Sequence, residues 1–260
     1  MSSRIRATWI TAIVITLLFM LSQYVWGRVF DVDYETITDS TENLWTGAVF
    51  RVGMTALIFT VIAILLNRSW GGIYRQDVPR LPAWMWIIPI IMAGSAIARI
   101  ASNDWSARGI DYMLVLGLGV LLVGVAEETT FRGIVVRALR GSTQNEFVVM
   151  LVSSVLFGVM HAVTILNGAD VGDTMTQILV ATIAGASFYI TLRLVGSLVV
   201  PILLHALVDF SILGQVGDGG TLNSTAAIAQ LVMYLITGIA AIVILVSSIR
   251  NRKKADATVS

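Results

Sequence analysis

Eight apolar runs, each close to the length that crosses a lipid bilayer, constrain the fold of this chain more than any other feature. The runs are 15 to 25 residues long, and a transmembrane helix needs about 20 apolar residues. None of them alternates apolar and polar residues with period two, as the strands of a membrane barrel do. The sequence therefore predicts an all-α, polytopic membrane protein with about eight transmembrane helices in one bundle. The runs are Ala7–Gly27, Val52–Leu66, Leu81–Ala98, Tyr112–Ala126, Phe147–Leu166, Thr174–Leu192, Leu194–Leu213 and Thr225–Ile249.

The composition agrees with lipid as the solvent. Charged residues make up 13% of the 260 residues and hydrophobic residues 57%, whereas about a quarter of a soluble domain is charged. The 17 basic and 16 acidic residues leave a net charge of +1, so no basic excess indicates nucleic acid as a partner. The chain has no cysteine, which excludes thiolate zinc sites and a cysteine nucleophile. We expect the lipid bilayer, and no nucleic acid, as a partner.

The basic residues alternate between the segments that join the apolar runs. Thirteen of the 17 basic residues lie in every second segment, and the segments between them carry mostly acids. The positive-inside rule then predicts that both termini are cytoplasmic, in agreement with an even number of spans. The thirteen are Arg4, Arg6, Arg68, Arg75, Arg80, Arg132, Arg137, Arg140, Arg193, Arg250, Arg252, Lys253 and Lys254.

Few ionisable side chains fall inside the apolar runs, and each is costly. A charge at the centre of a bilayer costs roughly 2.5–3.5 kcal/mol on insertion scales, so such residues are candidates for function. We set Arg51 and Arg99 aside as arginines at span ends, whose long side chains reach the membrane surface. The remaining candidates are Glu127, Glu128, Arg132, His161, His205 and Asp209.

The spacing of these residues indicates their arrangement. Glu128 and Arg132 lie four residues apart on a helix, acid first, which favours an ion pair. Glu127 is rotated by about 100° from Glu128, so one glutamate pairs with Arg132 and the other faces the bundle interior. If the helix continues to Arg140 and turns near residues 141–145, Glu127 and His161 lie at the same level of a hairpin.

Three motifs follow each other in these runs: Glu127-Glu128-Thr129-Thr130-Phe131-Arg132 (EExxxR), Phe157-Gly158-Val159-Met160-His161 (FxxxH) and His205-Ala206-Leu207-Val208-Asp209 (HxxxD). In this order they resemble the signature of the CPBP intramembrane proteases, which include type II CAAX prenyl endopeptidases and bacteriocin-processing or self-immunity proteins. The resemblance covers roughly Asp111 to Leu213. It implies an intramembrane endopeptidase of the cell membrane, with helices in 1–110, a protease core in 111–213, and a last helix with a basic tail in 214–260.

The resemblance also implies roles for the six residues. Glu127 would be the general base that activates water, and His161 would orient the water and transfer a proton. His205 would donate a hydrogen bond to the developing oxyanion. Many CAAX-type relatives carry Asn where this chain carries Asp209. We expect Asp209 to orient His205 from one helical turn away. Glu128 and Arg132 would support the site as an ion pair.

Alternatives to this reading remain open in the sequence. Glu127, His161, His205 and Asp209 offer two nitrogens and two carboxylates that could hold zinc, although no cofactor is our expectation. Buried acids and histidines also occur in proton-coupled transporters, and a non-catalytic scaffold or immunity protein could keep an ancestral site. The expected partner of the enzyme is a peptide or protein substrate in or at the membrane. A prenylated C-terminal peptide and a bacteriocin leader are both candidate substrates.

Overall fold

The computed structural model describes residues 5–76, 81–216 and 220–257, the last seven of them by their backbone alone. These residues form eight long helices, which confirms the predicted all-α class. The helices are α1 (Trp9–Val29), α2 (Thr41–Trp70), α3 (Ala83–Ser102), α4 (Ile110–Arg140), α5 (Glu146–Asn167), α6 (Val171–Val195), α7 (Val199–Leu213) and α8 (Gly220–Ala257).

Seven of the described helices are long and apolar enough to cross a membrane, and α7 is shorter. Large apolar side chains are exposed along the outer faces of these helices, for example Leu179 and Leu235. Water would not solvate such faces, whereas lipid does. The chain is therefore a multi-pass integral membrane protein, in agreement with the predicted class.

The seventh predicted span, Leu194–Leu213, is shorter in the structure than in the sequence analysis. Gly196 has a φ of 76°, the left-handed conformation that ends α6, and α7 begins only at Val199. The 15 residues of α7 extend roughly 22 Å, less than the hydrocarbon thickness of about 30 Å. The turn between α6 and α7 is fixed by the segment after α2, because the Leu198 N–H donates a hydrogen bond to the carbonyl oxygen of Tyr74.

Two ends of the bundle can be distinguished by the turns that meet there. At one end, Arg137 donates hydrogen bonds to the carbonyl oxygens of Trp70 and Gly71. The backbone N–H of Gln76 donates a hydrogen bond to the carbonyl oxygen of Gly196 at the same end. We call this the basic end, because it holds the turns 71–76, 141–145 and 196–198. The other end, here the acidic end, holds 30–40, 103–109 and 168–170 and carries Asp31, Asp33, Asp39, Asp104 and Asp170. Which end faces the cytoplasm stays a prediction.

The described part of the chain omits some residues used for that prediction. Arg4, Arg80 and Asp218 lie outside the described residues, and so do the side chains of Arg252, Lys253 and Lys254. The described basic residues of this set that lie near helix ends are at the basic end, as Arg137 is. They are Arg6, Arg68, Arg75, Arg140, Arg193 and Arg250.

The hairpin of α4 and α5 agrees with the sequence analysis. α4 continues to Arg140, and α5 begins at Glu146 after a short turn. The Asn145 side chain caps α5 by accepting hydrogen bonds from the N–H groups of Phe147 and Val148. The hairpin brings the first and second motifs onto neighbouring antiparallel helices.

Candidate active site

A π-helical segment follows the paired glutamates. Residues Thr129–Val135 of α4 form a π-helix, and all seven of them are buried. Such segments are rare and often occur at functional sites. Just before it, an added Cβ at Gly124 would lie 2.7 Å from the carbonyl oxygen of Ile202, so only glycine lets α4 and α7 approach this closely. The close approach brings the glutamates of α4 next to His205 of α7.

Glu128 and Arg132 form the predicted ion pair, fully inside the protein. The guanidinium Nη1 lies 3.1 Å from Glu128 Oε1, and both side chains are buried. Arg132 Nη2 also donates to the Gly185 carbonyl oxygen at 3.1 Å, and the guanidinium lies 4.0 Å from the centre of the Phe157 ring. Arg132 is thereby fixed by a carboxylate, a carbonyl and an aromatic face.

Glu128 has a second partner that the sequence analysis missed. Its Oε1 accepts a hydrogen bond of 2.8 Å from Nδ1 of His205, 77 residues further along the chain. The His205 ring also stacks on Phe188 of α6, with 4.7 Å between ring centres and 18° between planes. Glu128 and Phe188 therefore orient His205. No local spacing signals a contact between helices that far apart in sequence.

The outward nitrogen of His205 faces two other carboxylates. His205 Nε2 lies 3.4 Å from Oδ2 of Asp209 and 3.8 Å from Oε2 of Glu127. The i,i+4 contact with Asp209 is the one that the HxxxD spacing predicts. Glu128 holds Nδ1 and Asp209 meets the nitrogen that faces the cavity, and the role of Asp209 in orienting the ring stays a prediction.

His161 ends the α-helical part of α5 and begins its final 3-10 turn. Its Nδ1 donates to the carbonyl oxygen of Phe157 at 3.0 Å, since a carbonyl oxygen only accepts. In a neutral ring this hydrogen bond leaves Nε2 as an acceptor. His161 can therefore accept a hydrogen bond from a water molecule in the space beside it.

These residues surround one cavity of about 420 Å³. Glu127, His161, His205 and Asp209 line it, together with the apolar residues Phe157 and Phe188, whereas Glu128 and Arg132 are not part of the lining. The side chain of Glu127 is 13% exposed and that of Glu128 is fully buried. The two glutamates thus differ in the way the helical repeat predicts: one faces the cavity and the other lies behind it.

The cavity extends toward the acidic end. Its lining includes Tyr34, Ile37 and Thr38 of the segment between α1 and α2. No residue of the turns 71–76 or 141–145 contributes to the lining. The four candidate catalytic side chains therefore lie at the inner part of a cavity that is lined from the acidic end.

Of the two arginines set aside in the sequence analysis, Arg51 was interpreted wrongly, whereas Arg99 lies in the last turn of α3 as expected. Arg51 was set aside as a span-end residue because the uncharged run begins at Val52. In the structure α2 begins at Thr41, so Arg51 lies inside the helix, is 7% exposed and lines the cavity. Arg99 lines the same cavity, where its Nη2 donates to Gln230 Oε1 at 2.6 Å. Both side chains therefore point into the cavity.

A metal site was the alternative reading of the same residues. Among the described residues, no three His, Asp or Glu side chains are arranged to ligate one metal ion. His161 Nδ1 and His205 Nδ1 are already used in hydrogen bonds to Phe157 and Glu128. Histidines that ligate a metal through Nε2 make the same kind of hydrogen bond through Nδ1, so the absence of a metal stays a prediction, and we derive no step through a metal.

The comparison with protein families agrees with the motifs. Residues 109–211 match the family model described as type II CAAX prenyl endopeptidase Rce1-like. No curated protein and no solved structure matches the chain. The match contains all six candidate residues and nearly the whole region that the motifs cover. The segment of residues 109–211, with its ordered EExxxR, FxxxH and HxxxD motifs, is therefore similar to the type II CAAX prenyl endopeptidases, in agreement with the resemblance to the CPBP family.

Proposed function

We propose that this protein is an intramembrane endopeptidase that hydrolyses a peptide bond with a water molecule activated by Glu127. One observation carries the proposal: Glu127 faces a cavity shared with His161, His205 and Asp209, while the other glutamate is held by Arg132 behind it. A carboxylate with few fixed partners in an apolar site is well suited to accept a proton.

The reaction can be written with the residues of the cavity. Glu127 takes a proton from water while the water oxygen adds to the carbonyl carbon of the substrate. His161 accepts a hydrogen bond from that water through Nε2 and orients it. Collapse of the tetrahedral intermediate breaks the C–N bond, and the proton held by Glu127 passes to the departing amine. The products are a new carboxylate and a new amine.

His205 is proposed to stabilise the oxyanion of the intermediate. In its doubly protonated form the ring donates from Nδ1 to Glu128 and from Nε2 toward the cavity. A preorganised donor of this kind contributes about 100- to 1,000-fold to the rate of acyl transfer in other enzymes. Asp209, at 3.4 Å from Nε2, stabilises the protonated ring until substrate arrives.

The experiment uses purified full-length protein in detergent or vesicles with a dye-labelled, prenylated C-terminal peptide. The expected result is two fragments whose summed mass exceeds that of the peptide by one water, and no cleavage by Glu127→Gln. Glu42→Gln is a matched control, because Glu42 lies at the first turn of α2 outside the cavity lining. If Glu127→Gln cleaves as fast as the parent, the protein is not a glutamate-dependent protease.

The same preparation tests the zinc alternative. Metal analysis of the purified protein and activity after treatment with 1,10-phenanthroline are measured together. The proposal expects less than one zinc ion per chain and no loss of activity. Stoichiometric zinc, with activity lost on chelation and restored by zinc, would replace the proposed mechanism with a metal-dependent one.

A further inference from the structure

A buried arginine shares the cavity with Glu127 and lacks a carboxylate of its own. Arg51 directly follows a second π-helical segment, Trp45–Phe50, and lines the cavity at 7% exposure. Among the described residues no Asp or Glu lies within ion-pair distance of it, and its Nε has no hydrogen-bond partner. A buried cation without a paired anion is expensive, so its presence calls for a functional reason.

The neighbours of Arg51 compensate its charge only in part. The guanidinium carbon lies 6.0 Å from the centre of the Tyr34 ring, at the outer limit of a cation–π contact. Glu127 lines the same cavity, but no ion pair joins it to Arg51. Arg132, by contrast, has a carboxylate at 3.1 Å, a carbonyl oxygen and an aromatic ring at 4.0 Å.

Two further hydrogen-bond donors line the cavity near Arg51. Gln23 of α1 is buried and makes no hydrogen bond to any described residue. A hydrogen bond of 2.9 Å between Ser22 and Thr55 holds α1 against α2 within one turn of Gln23 and Arg51. Both side chains therefore lie at a similar depth in the same wall.

Tyr34 supplies the third donor of this wall. Its hydroxyl oxygen accepts a hydrogen bond of 2.9 Å from Gln177, so the hydroxyl proton remains available. Burial raises the pKa of the Tyr34 hydroxyl, which therefore stays protonated at neutral pH. A guanidinium, an amide and a phenol together form a wall that donates hydrogen bonds to an anion.

We propose that Arg51, with Gln23 and Tyr34 beside it, binds a carboxylate of the peptide substrate while the scissile bond lies at Glu127. This inference rests on the proposed protease function and assigns a substrate class to the same cavity. A planar guanidinium binds a carboxylate through two parallel N–H···O bonds, and Arg51 has no other carboxylate to hold. The carboxylate comes from the C-terminus of the peptide or from an Asp or Glu side chain near it.

The subsite has a second effect on catalysis. A substrate carboxylate placed near Glu127 without a cation would repel the carboxylate that must take up the proton. Arg51 offsets this repulsion, because it is a cation that lines the same cavity and pairs with the incoming carboxylate. Peptides with the carboxylate are therefore bound with their scissile bond next to Glu127. Peptides without it leave Arg51 without a paired carboxylate.

The test compares three dye-labelled prenylated peptides that differ only at their ends. The first has a free C-terminal carboxylate, the second a C-terminal amide, and the third an amide with Glu as the penultimate residue. We measure kcat/KM for the parent protein, Arg51→Gln and Arg51→Lys. Arg99→Gln is the matched control, because Arg99 also lines the cavity but is hydrogen-bonded to Gln230.

The parent and Arg99→Gln are expected to cleave the acid about 10-fold or more faster than the amide, in line with the strength of charge-assisted hydrogen bonds. Arg51→Gln is expected to cleave both at the same low rate, and Arg51→Lys to keep part of the preference. If the third peptide is cleaved like the acid, a side-chain carboxylate satisfies the subsite. Equal cleavage of all three peptides by the parent, or an unchanged preference in Arg51→Gln, overturns the proposal.

Binding separates this inference from the protease function. Fluorescence anisotropy with Glu127→Gln measures affinity for the acid and the amide peptide without cleavage. Tighter binding of the acid, lost when Arg51→Gln is added, supports the subsite even if the parent cleaves none of the peptides. Equal affinity for both peptides removes the subsite even if the parent is an active protease. Thermal unfolding of Arg51→Gln checks that the variant is folded, and we expect it to be no less stable than the parent.

Discussion

Two glutamates in this bundle differ in how many fixed partners they have. Glu146, at the first turn of α5 at the basic end, accepts hydrogen bonds from Arg140 and Arg193 at 2.8 Å each, and from the hydroxyl of Tyr189. Glu127, deeper in the bundle, has among the described residues one basic neighbour at the limit of contact, His205 Nε2 at 3.8 Å. The first carboxylate is fully committed to the fold, whereas the second is free to react.

The same difference separates two arginines. Arg132 contacts a carboxylate, a carbonyl and an aromatic ring, whereas Arg51 is buried and no carboxylate of the described residues pairs with it. Burial of a charge is therefore not enough to identify a functional residue in a membrane protein. The number of partners already fixed in the protein is the better criterion, because only an incompletely partnered group can serve a substrate.

We expect the largest effect from a substitution of Glu127, the glutamate with few fixed partners. Glu127→Gln removes the base while keeping the shape of the side chain, so peptide cleavage should fall by about 100- to 10,000-fold. Thermal unfolding in detergent should stay close to that of the parent, because Glu127 makes no short contact that folding depends on. Loss of the folded protein together with activity would mean that Glu127 is structural, and the comparison with Glu146 would fail.

Glu128→Gln should act in the opposite way. The substitution removes the negative charge that Arg132 pairs with inside the protein. His205 Nδ1 loses the same charged partner. Breaking one side of a buried ion pair costs about 3–5 kcal/mol, so the folded yield and unfolding temperature should drop clearly. Denaturant titration of the purified variant measures the loss. A stable Glu128→Gln protein without activity would instead give Glu128 a direct role in the chemistry.

Asp209 lies between these two cases, since it touches His205 and is 24% exposed. Asp209→Ala should lower kcat/KM by about 10- to 100-fold, the loss expected for one hydrogen bond to a charged group. Asp209→Asn, which keeps a side-chain oxygen near Nε2, should retain more activity than Asp209→Ala. Steady-state kinetics of the two variants decide the point, and parent-like activity of Asp209→Ala excludes Asp209 from the site.

The smallest effect is expected at Glu146. Its side chain is 22% exposed, so water can partly replace the lost interactions in Glu146→Gln. We expect a loss of about 1–3 kcal/mol in the free energy of unfolding and a kcat/KM per folded molecule equal to that of the parent. An inactive but fully folded Glu146→Gln protein would show that satisfied acids also take part in catalysis.

Much of the site could be predicted because its spacing is local. The ion pair of Glu128 and Arg132, the contact of His205 and Asp209, and the separate direction of Glu127 all follow from one helical repeat. The hairpin that brings His161 to the same cavity follows from counting residues to the turn after Arg140. These relations need no knowledge of how distant helices pack.

The contacts between distant helices could not be predicted in this way. Glu128 meets His205 because Gly124 lets α4 and α7 approach closely, and this depends on the three-dimensional packing. Arg51 was misjudged because the uncharged run starts after it, although the helix begins ten residues earlier at Thr41. Polar residues before Arg51 hid that start, since helix length in a membrane protein is not given by hydropathy alone.

The π-helical segment Thr129–Val135 makes the direction of the two glutamates depend on helix geometry as well as on side chains. A π turn holds more residues than an α-helical turn, so the residues before it are offset in rotation from those after it by about 100° for each extra residue. Straightening this segment to α-helical geometry without removing a residue would leave all six candidate residues in the sequence. Yet Glu127 and Glu128 would then turn away from His205, while Arg137 stays docked on Trp70 and Gly71. The helical geometry of α4 between its glutamates and its docked end is thus as much a part of the candidate active site as the side chains themselves.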